Sequence, residues 1–101
     1  MRQIIKDRLG HDIYLTDERW SHICEEHPEM RRCRRRVLET VQSGRRFQDS
    51  VRPEVYLYHR SYPNLPDGNT SVVVVIHFGL YADRTENNFI LTAYQIRQRR
   101  K

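Results

Sequence analysis

TDERWSHICEEHPEM, residues 16–30, decides how the rest of the chain is read. Thr16 is a helix cap, and Asp17 and Glu18 follow in the first turn, where the positive end of the helix dipole favours carboxylates. Pro28 disfavours the α conformation in the residue before it. The spacing therefore predicts a helix to about His27, a break at Pro28 and a second helix resuming near Met30. In that second helix Met30, Cys33, Val37 and Val41 fall at spacings of three and four, an apolar stripe, and Ser43 and Gly44 end it.

Outward from this pair the texture changes to strands. Arg2 to Leu9 and His11 to Leu15 are short β-leaning runs separated by Gly10, a hairpin. Val55 to His59, Ser71 to Phe78 and Phe89 to Ile96 are β-branched or aromatic with period two, and Arg46 to Val51 is a weaker fourth run. The segment Ser61 to Asn69 is dense in turn residues and joins neighbouring strands. Sequential strands joined in this way pair antiparallel. The predicted class is α+β, with a short helical pair on one face of an antiparallel sheet.

At 101 residues, residues 1–101 form a single domain, and 38% hydrophobic with 31% charged residues is the balance of a globular chain. The longest apolar stretch, Val72 to Ile76, is far too short to span a bilayer, and the N-terminus lacks the apolar run of a signal sequence. The reading is a cytoplasmic protein without membrane contact. Only Cys24 and Cys33 occur, which in a reducing compartment argues against a disulfide framework.

A net charge of +5 and a pI near 9.6 point to phosphate-bearing partners. The cations cluster. Five arginines lie between Arg31 and Arg36, and Arg97, Arg99, Arg100 and Lys101 form the tail, more than solubility requires. Within the opening stretch His22 and His27 are five positions apart. At about 100° per residue they point roughly 140° apart on an unbroken helix, so they are not a side-by-side pair. His27 shares its face with Trp20, Ile23 and Cys24, whereas His22 sits among Glu18, Arg19, Glu25 and Glu26. Each has a structural reading beside a chemical one: a half-buried residue at a helix end, and a solvated surface residue. Zinc would want histidines four apart on one face, with a third ligand that the spacing does not provide, so no metal is assigned. On the strands Tyr56, Tyr58 and Arg60 share one side, as do Thr92 and Tyr94, a pattern that could stack bases or equally form the outer edge of the core. His59 and His77 have the opposite parity or lie on a different strand, and either could be the partner histidine instead.

Taken together, "IYLTDERWSHICEEHPEM", "VYLYHR", "SVVVVIHF" and "FILTAYQIRQRRK" resemble the small toxin-like nucleases of the Barnase–EndoU–colicin–RelE group, above all its phage- and mobile-element-associated members. The most specific part is Trp-x-His-Ile followed by His-Pro-Glu. The resemblance runs from about Asp12 to Lys101. It implies two N-terminal helices packed on one face of a four- to five-stranded antiparallel sheet, and a metal-independent, cofactor-free endoribonuclease of toxin or effector type. With strand alternation it also suggests site roles. His27 or His22 would transfer protons, Arg60 would offset charge on the phosphorane, and Thr92 and Tyr94 would position the phosphate or donate a proton. Arg31, Arg32, Arg35, Tyr58, Arg97, Arg99 and Arg100 would hold the RNA, and an acidic antitoxin or inhibitor would cover the basic face. Two other classes fit the same residues: an RNA- or DNA-binding module without catalysis, and a regulatory domain that binds an acidic protein.

Overall fold

The computed structural model describes residues 2–98. Two strands, β1 (Arg2–Lys6) and β2 (Asp12–Thr16), lead into helix α1 (Asp17–Glu26), a 3-10 turn (Pro28–Arg32) and helix α2 (Arg34–Ser43). Four strands follow: β3 (Arg45–Gln48), β4 (Val55–Ser61), β5 (Ser71–His77) and β6 (Asn88–Ile96). They form one six-stranded sheet in the order β1-β2-β6-β5-β4-β3. All neighbours are antiparallel except β2 and β6, which run parallel through Ile13–Asn88 and Tyr14–Phe89. The expected four to five antiparallel strands are thus six in a mixed sheet. Turn signals specify only strands adjacent in sequence, and nothing local marks the pairing of β2 with β6, which the helices and three strands separate.

The helical half follows its local rules. The Thr16 hydroxyl accepts from the Arg19 N–H and caps α1. The helix stops at His27, whose backbone (φ −129°, ψ 79°) has left the helical region that Pro28 disfavours in the residue before it. The chain does not return to α-helix at Met30. It makes the 3-10 turn first, and α2 starts at Arg34. Met30, Cys33, Val37 and Val41 are all buried, and with Ile23 they cover Val72, Val74, Ile76, Ile90 and Ala93 of the sheet. Cys24 and Cys33 are unbridged. No helix among the described residues is long and apolar enough to cross a membrane.

Gly44 ends α2 for a reason other than left-handed geometry, because its φ is −72°. A Cβ there would stand 2.5 Å from the Thr40 carbonyl oxygen and 2.9 Å from that of His59. Glycine is needed so that the end of α2 can lie directly against the backbone of β4.

One buried carboxylate ties the two ends of the sheet together. Asp7, 6% exposed, follows β1. Its Oδ1 accepts from the Leu9 and His11 N–H groups, shaping the hairpin turn in which Gly10 has φ +87°. Its Oδ2 accepts from the hydroxyl of Tyr58 in β4 at 2.5 Å, and Arg46 Nε of β3 donates to the same hydroxyl. Three strands stand between β1 and β4 in the sheet. At about 4.8 Å per strand a flat sheet would hold these two strands roughly 19 Å apart. The sheet must therefore curl until the hairpin tip crosses over its helical side. There the His11 ring meets Phe78, and Phe78 meets Tyr56 and Tyr58.

Two outcomes follow. Tyr58→Phe removes the only donor to Asp7 Oδ2 among the described residues and should lower the unfolding free energy by about 1–3 kcal/mol in urea denaturation. Burial first, and the Asp7 acceptor second, push the Tyr58 hydroxyl above the ordinary tyrosine range. Folding thus favours its protonated form, a contribution fully present below about pH 10 and lost as pH rises further. Stability should fall less steeply above that pH in Tyr58→Phe than in the parent. Gly44→Ala should destabilise by about 1–3 kcal/mol, because the two carbonyls it meets are backbone and yield little; thermal unfolding would show it.

Candidate active site

Alternate residues of a strand share a side, so register assigns sides to the sheet. Val72, Val74 and Ile76 of β5 lie under the helices. Their cross-strand partners lie there too: Arg60, Tyr58 and Tyr56 in β4, and Gln95, Ala93 and Ile90 in β6. The side away from the helices carries Val73, Val75 and His77. Opposite them stand His59, Leu57 and Val55 in β4, and Tyr94, Thr92 and Phe89 in β6. A β-bulge makes this possible. The register shifts between Val75 and Ile76, so Leu91 is an extra residue, and Phe89 and Thr92 share a side although they are three apart.

His27 reaches this side from the edge of the sheet. β2 accompanies β6 only at Asn88 and Phe89, and beyond that point α1 and the 3-10 turn pack beside β6. The turn is anchored by Gln95, whose Nε2 donates to the Glu29 carbonyl at 3.3 Å and to Cys33 Sγ at 3.2 Å. With the turn fixed, the half-buried His27 ring packs on the Tyr94 ring at 5.7 Å between centroids. The Glu29 carboxylate lies 3.9 Å from His27 Nδ1, a carboxylate behind an imidazole. From His27 a single row then crosses the sheet through Tyr94 and Val73 to His59, with Thr92, Val75 and Leu57 in the next row.

Buried polar atoms are normally paired. Among the described residues three side-chain atoms are buried without a hydrogen-bond partner: His59 Nε2, His77 Nδ1 and Thr92 Oγ1. All three belong to the side away from the helices. His77 is stacked on Phe89 at 5.0 Å, with Gly79 packed close against its ring. The arrangement offers two imidazoles at the ends of one row, the hydroxyl residue Tyr94 between them with Thr92 in the next row, and the Glu29 carboxylate behind one of the imidazoles. Such a set can transfer protons to and from a bound phosphodiester.

The structure brings together His27, Thr92 and Tyr94 of the sequence-derived set, and separates the others from them. Arg60 is on the helical side with its guanidinium over the Tyr62 ring at 5.0 Å, so it does not face the same phosphate as Thr92. Alternation correctly grouped the residues within each strand, but it cannot say which parity of β4 faces which parity of β6. Tyr58, 1% exposed and bonded to Asp7, is a core residue and cannot stack a base. His22 is exposed on α1. Arg97 donates to the carbonyls of Asp67 and Gly68 and holds that turn. Arg31, Arg32 and Arg35 are exposed in the helical layer, whereas Arg34 lies over Trp20 and Arg36 over Tyr62. Arg99 and Arg100 lie outside the described residues.

Glu29 and Gln95 were missed as site residues. Glu29 stood only as part of the His-Pro-Glu motif, and Gln95 reads as an ordinary strand residue until its two acceptors are seen. His59 entered the sequence reading only as an alternative partner, because its side of the sheet was undecided. Burial pushes the Cys24 thiol up, the reverse of what an activated nucleophile needs. No protein-family model, no curated protein and no solved structure matches this chain.

Proposed function

We propose that the chain is a metal-independent endoribonuclease of toxin or effector type, working on the side of the sheet away from the helices. The observation that carries this reading is the gathering of every buried, unpartnered side-chain polar atom among the described residues on that side, with His59 in the row of the His27–Tyr94 contact. A chain of net charge +5 with such a surface suits a phosphodiester.

One histidine removes the proton from a ribose 2′-hydroxyl. The 2′-oxygen forms a bond to the adjacent phosphorus as the bond from phosphorus to the 5′-oxygen breaks, and the other histidine gives the leaving oxygen its proton. His27 and His59 take these two roles. Their separation is about two strand spacings, roughly 10 Å, plus the offset of His27 at the sheet edge, so the two rings meet the RNA from opposite ends of the row. Glu29 orients the His27 ring, as a carboxylate does behind an imidazole in other acid–base pairs. The Thr92 and Tyr94 hydroxyls position the phosphate. The exposed Arg31, Arg32 and Arg35 suit an acidic inhibitor segment.

The test is incubation of the purified chain with cellular RNA in the presence of a chelator. Fragments should end in 2′,3′-cyclic phosphate, and RNA with its 2′-hydroxyls methylated should survive. His27→Ala and His59→Ala should each lose about 10²- to 10⁴-fold in rate, and His22→Ala should stay close to the parent. Cleavage that survives in both His27→Ala and His59→Ala would remove this reading. Salt-sensitive binding with no product at any pH would favour a non-catalytic module.

A further inference from the structure

A groove of about 550 Å³ lies where the end of α2, the start of β3 and the middle of β4 meet. Its size is that of a site for a small ligand. Arg8, Arg45 and Arg60 line it with His59, Phe47 and Ser61, and none of its described lining residues is acidic. Arg45 stands directly opposite His59 in the β3–β4 ladder, and Phe47 opposite Leu57, so both face the side that carries His27 and Tyr94. Arg8 comes from the other end of the sheet. It follows Asp7, and the Asp7–Tyr58 bond that curls the hairpin across the sheet also carries Arg8 into the groove.

The electrostatic balance is decided by magnitudes. The C-terminal end of α2 contributes roughly half a negative charge, and one of its last carbonyls, that of Thr40, is already bonded to the Gly44 N–H. Three guanidiniums outweigh it. Two further features narrow the kind of anion. Phe47 is 55% exposed beside Arg45, a flat apolar surface next to a cation. His59 Nε2 is buried without a hydrogen-bond partner among the described residues, at the point where the groove joins the row leading to Tyr94.

We infer that the groove is a nucleotide subsite. A phosphate of single-stranded RNA sits among Arg8, Arg45 and Arg60, and its base stacks on Phe47. The groove lies beyond His59 on the same row, so a strand held there continues across the sheet towards His27. The choice of RNA as ligand rests on the function proposed above, whereas the charge and shape of the groove do not.

The experiment measures binding apart from cleavage. The full chain is titrated into a fluorescent 2′-O-methyl oligonucleotide of about ten nucleotides, which has no free 2′-hydroxyl to react, and anisotropy is read over a range of salt concentrations. Arg8→Gln/Arg45→Gln should weaken binding about tenfold or more. It should also flatten the dependence of log affinity on log salt by about 0.7 for each phosphate that is no longer neutralised. Phe47→Ala should weaken binding at least about fivefold, the low end for removal of one base stack. Arg31→Gln/Arg35→Gln removes the same charge from the helical layer and should have a smaller effect. Equal weakening in the two double variants would reduce the groove to net charge and overturn the subsite, and so would unchanged binding in Arg8→Gln/Arg45→Gln. Weakening in that variant with none in Phe47→Ala would overturn the nucleotide assignment in favour of a bare polyanion site. Cleavage of unmodified RNA is scored in parallel. Binding that depends on the groove without any cleavage supports the subsite while the ribonuclease reading fails. Cleavage by the parent with full binding in the arginine variant overturns the subsite alone.

Discussion

The carboxylate of Asp7 is the constraint on which the rest of the architecture depends. A curled sheet must be closed by something, and here the closure is one buried acid accepting from two backbone N–H groups of its own hairpin and from a tyrosine hydroxyl far along the chain. Burying a carboxylate is unfavourable unless its lone pairs are satisfied. That requirement makes the contact selective: only a sheet curled to one degree, in one register, supplies all three donors. Arg46 completes the arrangement by donating to the same tyrosine while lying over the Tyr56 and Phe78 rings at 3.8 Å and 5.1 Å.

With that closure made, the two sides of the sheet have different work. The helical side is filled by aliphatic residues together with Tyr58, and on it Gln95 anchors the Pro28–Arg32 turn. The other side has no helix to bury it. Its aromatic rings, histidines and hydroxyls are half-buried by one another, which leaves His59 Nε2, His77 Nδ1 and Thr92 Oγ1 unpaired beneath that surface. The break at Pro28 links the two sides. It ends α1 at the rim of the sheet, so that a residue of the helical layer can place its ring on the opposite side's Tyr94.

Much of this was legible in the chain because the signals were local. The Thr16 cap, the proline break, the stripe from Met30 to Val41 and the period-two strands each follow from neighbours within a few residues, and the structure has them all. The parallel pairing of β2 with β6 was not legible, nor the curl that buries Tyr58, since both depend on partners distant in sequence. The sides of the sheet were legible within a strand but not between strands, for the same reason. Thr92 and Tyr94 were rightly grouped, but placing Arg60 beside them required knowing how two strands with β5 between them are phased. A tyrosine on a strand looks like a stacking platform until the acid that holds it is found.

The bulge at Leu91 fixes that phasing. Residues before it alternate in one phase of the numbering and residues after it in the other, so Phe89 shares a side with Thr92 and Tyr94. Loss of that one codon would return β6 to strict alternation, with Phe89, Thr92 and Tyr94 still on one side and Ile90, Ala93 and Gln95 still on the other. Loss of an ordinary position would instead turn half of the strand over. Drift in length is thus open to this strand at the bulge and closed to it elsewhere.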